Sequence, residues 1–417
     1  MNALIKKHWK GRRRMDEQIK LLLNSFTKDD DKEKSASFMS SVEVAKAKKF
    51  HESFAEYQAT PLVSLENLAK KLNVGGIYVK DESYRFGLNA FKVLGGSYAM
   101  GSYLAKKIGK DITDLPYDKL VSEEIRNEIG DMTFVTATDG NHGRGVAWTA
   151  NRLKQKSVVY MPKGSSPFRL QKIQAEGAEA SIEDMNYDEA VRLAAKYAAE
   201  HNGVVIQDTA WEGYQDIPTW IMQGYATMAL EANEQLKELG VERPTHIFIQ
   251  AGVGSLAGAV QGFFAMEHKD NVPVTVVVEP DNAACYYLSA KEGKMSNVGG
   301  DMQTIMAGLA CGEPNILGFE IIKNYSTGFL SCPDYIAADG MRILGNPMSD
   351  DTKVVSGESG AVTMGAVYRI LTDERYSSFR EQLKLDENAK ILLFSTEGDT
   401  DPDKYRRIVW LGENSQS

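Results

Sequence analysis

The sequence predicts an α/β protein built on mostly parallel sheet. Two observations carry this. From about residue 60 onward, short apolar runs alternate with segments of helical period, and several runs are apolar on both faces, as in "VTVVVEP" at 274–280. Strands separated by helices join as parallel neighbours. Runs apolar on both faces suit sheets covered on both sides. The expected strands are "GIYVK" 76–80, "TFVTAT" 133–138, "SVVYMP" 157–162, "VVIQD" 204–208, "THIFIQA" 245–251, "VTVVVEP" 274–280 and "KILLFST" 390–396, all rich in β-branched and aromatic residues. Helical patterns fill the gaps at 90–107, 143–153, 167–176, 188–201, 218–239 and 255–268. The Gly-rich, small-residue stretch around 307–315 shows no period and reads as loop and short helix.

Composition sets the outer limits. The chain has 417 residues, 43% hydrophobic and 25% charged, which is ordinary for a globular protein and long enough for about two domains. A net charge of −9, spread along the chain, favours neither nucleic acid nor an anionic membrane as partner. No apolar run reaches the roughly 18 residues of a membrane span. The basic run "KKHWKGRRR" at 6–14 has no long apolar stretch behind it, so no signal peptide is expected and the expected location is the cytoplasm. Residues 1–40, with "KDDDKEKSAS" at 28–37, read as a flexible extension. The three cysteines, Cys285, Cys311 and Cys332, are expected as thiols, with Cys285 and Cys311 the pair nearest in sequence should one bridge form. Six scattered histidines offer no metal-ligand spacing, and no metal is expected.

Several turns sit where strands end. "QAGVGSLAG" at 250–258 follows a strand and opens a helix, which gathers backbone N–H groups around one point and suits a phosphate. The same string, Gly252-x-Gly254-x-x-Ala257 with Glu279 ending the next strand, also fits a dinucleotide fingerprint. A tight turn without a ligand is the third explanation. "TATDGNHGRG" at 136–145 places Asp139, Asn141 and His142 beside glycines, either as a plain polar turn or as a loop holding a carboxylate or a ring oxygen. Asp208 in "QDTAWEGYQD" ends a strand, where ligand sites of parallel sheets lie, but it could equally cap a helix. "SGESG" at 356–360 and "STEGDTD" at 395–401 are explained by turn chemistry alone.

Lys92 is the unusual residue. It stands among Ala90, Phe91, Val93, Leu94, Gly95 and Gly96, on a helix that is apolar on most sides. A lysine there either snorkels to the surface or is buried. Burial lowers the pKa of an amine and provides the neutral form that a Schiff base requires. A lysine of this kind, a phosphate turn and an asparagine turn together fit pyridoxal 5′-phosphate better than a dinucleotide.

These motifs carry a resemblance. "NAFKVLGG", "TDGNHGRGVAW", "AGVGSLAG" and "STEGDTD" resemble the fold-type II pyridoxal-phosphate enzymes, the group of threonine dehydratase and the tryptophan synthase β chain. "KDESYRFGLNAFK", "DMNYDEAVR", "QDTAWEGYQDIPTWIMQGY", "VGGDMQTIMAGLACGEPN" and "VSGESGAV" are similar, within that group, to the diaminopropionate ammonia-lyase family. The likeness runs from about residue 50 to 412. It implies two open twisted sheets flanked by helices, with the cofactor in the cleft between domains, and a homodimer. The large domain would comprise 41–92 and 191–417, the small one 93–190. Lys92 would carry the cofactor, with Phe91 packed beside it. Asn141 would bond the ring hydroxyl oxygen. The backbone of Gly252, Val253, Gly254, Ser255 and Leu256 would hold the phosphate. Ser395 or Thr396 would face the pyridine nitrogen, and Thr136 and Thr138 would take the substrate carboxylate. Asp139 and Asp208 would share acid–base work and recognition of the substrate's amines. The implied reaction is α,β-elimination on 2,3-diaminopropionate, giving pyruvate and two ammonia. Serine or threonine dehydration is the alternative on the same fold, and a nicotinamide-dependent oxidoreductase is a more distant one.

Overall fold

Eleven strands form two sheets in the computed structural model, which describes residues 18–416. In chain order they are β1 (Lys20–Leu23), β2 (Leu62–Ser64), β3 (Gly76–Asp81), β4 (Thr133–Ala137), β5 (Lys156–Met161), β6 (Glu179–Ile182), β7 (Val204–Val205), β8 (His246–Gln250), β9 (Val274–Pro280), β10 (Gly328–Cys332) and β11 (Lys390–Ser395). The larger sheet has the order β1-β10-β9-β8-β11-β3-β2 and the smaller β6-β5-β4-β7. All pairings are parallel except β1 with β10 and β2 with β3 at the two edges of the larger sheet. Every residue of β3, β8 and β10 is buried, as strands covered on both faces require.

Two sequence expectations shift. The extension expected over 1–40 is ordered structure from residue 18: Lys20 to Leu23 pair with Ser331 to Gly328, and Phe26 packs edge-on to Phe319 and Phe329. A four-residue edge strand is too short to stand out in a charged stretch. The basic run 6–14 lies outside the described residues. The strand expected over 204–208 is regular only at 204–205, where it pairs with β4, with one further bond from Ile206 N to the Val135 carbonyl at 2.9 Å, so the smaller sheet draws a strand from beyond residue 190.

Helices pack closely where glycines allow it. Helix Val93–Lys107 crosses helix Asp216–Glu238 so tightly that a Cβ at Gly224 would lie 2.3 Å from the Leu94 carbonyl oxygen. A Cβ at Gly95 would lie 2.5 Å from the Tyr225 ring. Gly95 thus serves helix packing.

Beside this crossing lies a buried ionic cluster. Arg85 bonds Glu82 with Nε and Nη2 at 2.8 Å each, and Glu231 with Nη1 at 2.8 Å and Nη2 at 2.7 Å. Lys80 Nζ sits 2.6 Å from Glu231 Oε2, and the Tyr57 hydroxyl donates to Oε1 at 2.8 Å. Burial pushes the Glu231 carboxyl up, but Arg85 and Lys80 outweigh it and hold the pKa at about 2, below the usual 4.5. Removing one partner of such a cluster strands an uncompensated charge. Glu231→Gln should therefore cost about 3–5 kcal/mol in urea unfolding. The wild-type advantage should be full above pH ~4.5 and fade as pH falls toward ~2, because the depressed carboxyl must then be protonated.

Candidate functional site

A cleft of about 1560 Å³ opens where strands of both sheets end at their carboxyl edges, the usual ligand position in parallel sheets. Its wall includes Phe91, Lys92, Thr138, Asp139, Asn141, Asp208, the run Gly252 to Leu256, and Thr396. Chain order explains the convergence. Thr138 to Asn141 follow β4, Asp208 lies just past β7, Gly252 follows β8 and Thr396 follows β11. Lys92 reaches the same place because Phe91 N–H donates to the Thr396 carbonyl at 3.0 Å, which ties the start of helix Val93–Lys107 to the end of β11.

Lys92 Nζ forms an ion pair with Asp208 Oδ2. It also lies 5.4 Å from the Phe91 ring centre and 5.6 Å from that of Tyr225. The Tyr225 hydroxyl donates to the same Asp208 oxygen at 3.1 Å. Burial would push the Lys92 amine down, but Asp208 beside it, with Asp139 further off, raises its pKa above the usual value. The neutral amine expected from burial alone is thus displaced by an ammonium. Burial likewise pushes Asp208 up, and Lys92 and His142 overcome it, leaving the carboxyl well below its usual range.

Asp139 faces the cleft from the other side of the asparagine turn. Arg169 Nη1 donates to its Oδ2 at 3.1 Å, while Nη2 reaches Thr400 Oγ1 at 3.1 Å. The Asn141 amide donates to Glu397 Oε2, and the Thr400 hydroxyl donates to that oxygen at 3.1 Å. Burial raises the Glu397 pKa, with Arg169 working against it. Thr138 Oγ1 accepts from Gly140 N at 2.9 Å and Gly143 N at 3.1 Å, which holds the turn in shape.

Two expected residues are off the wall. Thr136 is buried and donates to Gln207 Oε1 at 3.0 Å. Ser395 is buried, and its Oγ has no hydrogen-bond partner among the described residues. Thr396 Oγ1, on the wall, accepts from Gln250 Nε2 at 2.9 Å. Of the two, Thr396 is the one whose residue borders the cleft.

The glycine turn is shaped for an anion held by backbone. Gly254 has φ +92°, and a Cβ there would lie 2.0 Å from the Tyr286 hydroxyl, so glycine is required. Helix Ser255–Glu267 starts without a side-chain cap, since its N-cap residue is Gly254, and Ser255 Oγ is engaged elsewhere, donating to the Asp208 carbonyl and accepting from Asn315 Nδ2 at 2.6 Å. Its first-turn N–H groups are therefore open to a phosphate. These residues, with Lys92 and Asn141 on the same wall, fit pyridoxal phosphate. The dinucleotide alternative loses its second element. Glu279 accepts from Tyr286 N at 2.8 Å and Tyr287 N at 2.7 Å, and burial lifts its pKa to about 8. It anchors helix Cys285–Glu292 instead of facing a ribose.

Sequence reasoning missed Tyr225, Arg169, Glu397 and Asn315. Glu397, Tyr225 and Asn315 lie inside the motifs "STEGDTD", "QDTAWEGYQDIPTWIMQGY" and "VGGDMQTIMAGLACGEPN" and could have been found there. Arg169 sits on an ordinary helix, where nothing local marks it. Cys285 and Cys332 are buried thiols, and Cys311 is a half-buried thiol on the wall. Among the described residues no group of three His, Cys, Asp or Glu side chains could hold a metal.

Comparison with known proteins agrees with this chemistry. The family model for pyridoxal-phosphate dependent enzymes matches residues 54–393. The diaminopropionate ammonia-lyase of Salmonella typhimurium is 53% identical over 369 residues, covering 88% of this chain and 91% of that protein. Its Escherichia coli namesake is 52% identical over 370 residues, covering 88% and 92%. The crystal structure of the Escherichia coli enzyme in complex with D-serine superposes with a TM-score of 0.90 at 47% identity, over 96% of this chain and 99% of that one. The same enzyme with an aminoacrylate-PLP azomethine intermediate gives a TM-score of 0.87 at 46% identity, with the same coverage. Threonine deaminase from Solanum lycopersicum shares the fold, with a TM-score of 0.68 at 22% identity over 94% of this chain and 97% of that one. On the lysine-bearing cleft, the phosphate turn and this extent of likeness, the chain belongs to the pyridoxal-phosphate dependent enzymes and, among them, to the diaminopropionate ammonia-lyase family.

Proposed function

We propose that this chain removes ammonia from 2,3-diaminopropionate, consuming one water and yielding pyruvate and two ammonia. The observation that carries the reading is the presence of two carboxylates, Asp139 and Asp208, on one cleft wall with Lys92. A diamino acid brings a second ammonium group, and a carboxylate pairs with it. Serine or threonine, with a hydroxyl leaving group, has no use for that second partner.

Lys92 Nζ is the group that would hold the cofactor's aldehyde. The backbone of Gly252, Val253, Gly254, Ser255 and Leu256 would hold its phosphate, Asn141 its ring oxygen and Thr396 its ring nitrogen. Pyridoxal phosphate, when bound, supplies a sink for the charge left when the Cα proton departs. Asp139 Oδ takes that proton from the D-isomer. For the L-isomer, on the opposite face, it passes to Lys92 Nζ or Asp208 Oδ. Arg169 orients Asp139, and Tyr225 orients Asp208, by the hydrogen bonds described above. Thr138 shapes the turn whose backbone receives the substrate carboxylate.

Two domains belong to this reading, the smaller built around β4 to β7. So do a homodimer and a cytoplasmic setting, for which the family likeness is the support. No helix among the described residues is long and apolar enough to cross a membrane.

Three outcomes are expected. Lys92→Ala should lose the visible absorbance band of the purified protein and nearly all pyruvate release from diaminopropionate. An active, coloured variant would end this reading. Asp139→Asn, assayed on both enantiomers, should lose at least 100-fold on the D-isomer and far less on the L-isomer, in line with removal of a general base. Equal losses would sink the assignment by face. Asp208→Asn removes the charge that raises the Lys92 pKa and leaves burial to lower it. The pH midpoint for cofactor uptake by apoprotein should therefore move downward, measured as the rate of appearance of the absorbance band.

A further inference from the structure

The buried Thr136 is one end of a hydrogen-bonded chain that returns to the cleft. Its hydroxyl donates to Gln207 Oε1 at 3.0 Å, and Ala137 N donates to the same oxygen at 3.1 Å. A backbone N–H can only donate, so the amide orientation of Gln207 is settled. Its Nε2 then donates twice, to the Ala137 carbonyl at 3.2 Å and to the Tyr187 hydroxyl at 2.7 Å. The phenol oxygen of Tyr187 therefore acts as an acceptor toward Gln207, and its own proton is left over. No described residue accepts that proton, and Tyr187 lies on the cleft wall.

The residue is also held still. It is the first residue of helix Tyr187–Glu200, whose start is fixed by a reciprocal pair of bonds. Glu189 N donates to Asn186 Oδ1 at 2.9 Å, and Asn186 N donates to Glu189 Oε2 at 3.0 Å. Burial, with Asp208, Cys311 and Asp139 nearby, pushes the Tyr187 pKa well above its usual value, so the hydroxyl stays protonated as a donor. A fixed donor that cannot ionise suits an anion and does nothing for an ammonium group. The turn that starts helix Asn141–Arg152, without a side-chain cap, lines the same cleft.

We infer that the Tyr187 hydroxyl, oriented by Gln207, donates a hydrogen bond to the substrate's α-carboxylate. This rests on the amino-acid substrate proposed above, and it adds a recognition residue from the helix that follows β6. Thr136 takes part in carboxylate recognition at one remove, as the residue that sets Gln207.

The test is Tyr187→Phe in the holoenzyme, which keeps the ring and removes the donor. D-serine and its carboxylate-free counterpart ethanolamine serve as probes, with binding read from the absorbance change on titration. A hydrogen bond to a charged group predicts D-serine affinity weakened roughly 10-fold or more. Ethanolamine should behave as with wild-type protein, and the melting temperature should be unchanged. On diaminopropionate the variant should raise KM with kcat nearly constant, the signature of lost uniform binding. Unchanged D-serine affinity overturns the inference. So does an equal loss for ethanolamine, which would mark a general distortion, or a fall in kcat at constant KM. Because D-serine binding is read from the absorbance change and not from turnover of diaminopropionate, the inference and the diaminopropionate reading fail separately.

Discussion

A Cβ at position 224 would lie 2.3 Å from the Leu94 carbonyl oxygen, so helices Val93–Lys107 and Asp216–Glu238 touch backbone to backbone at that point. Much of the site's geometry depends on this contact. Lys92 caps the first of these helices, and Tyr225, next to Gly224, lies on the second. Their closeness lets the Tyr225 ring cover Gly95 while its hydroxyl reaches Asp208. Lys92, Asp208 and Tyr225 thus come together through helix packing, with a backbone bond from Phe91 to Thr396 fixing the other end. A larger side chain at either glycine would separate the lysine from its carboxylate before it altered any chemistry.

Charge in this molecule is buried in two ways with different results. At Arg85, Glu82, Glu231 and Lys80, cations and anions satisfy one another through many bonds, and the cluster is sealed. At Lys92 and Asp208 a single pair stands on an open wall. The first arrangement supports the fold, and the second is available for exchange with a ligand. Glu279 is a third case, a carboxyl held by two backbone N–H groups whose pKa burial still raises to about 8.

What could be read from the sequence follows from local signals. Most central strands were visible because they are continuous apolar runs, as in β9 and β11, but β10, a buried interior strand with the short sequence Gly-Phe-Leu-Ser-Cys, was not. The edge strands β1, β2 and β6 were not, being three or four residues long and half-exposed. Glycine turns revealed Gly252 to Leu256 and Asp139 to Asn141, because a turn after a strand is a short-range pattern. Arg169 is 30 residues from Asp139, and Glu397 is 256 from Asn141, so only folding brings them together. The state of Lys92 was misread for the same reason: burial is local and legible, whereas its partner Asp208 lies 116 residues away.

Contacts of two kinds join the smaller sheet's helices to the rest of the chain. On one side the Asn141 amide meets Glu397 and Arg169 meets Thr400, bonds that join those helices to the end of β11. On another, Gly145 lies against Val93, where a Cβ would come within 2.8 Å of the Val93 Cα. Polar bonds can be traded for bonds to water at little net cost, whereas close apolar packing cannot. A body fastened this way is stiff along one side and releasable along the other, as a hinge and a clasp are. The clasp includes Asn141 and the arginine that aims Asp139, so unfastening it would also disarm the site.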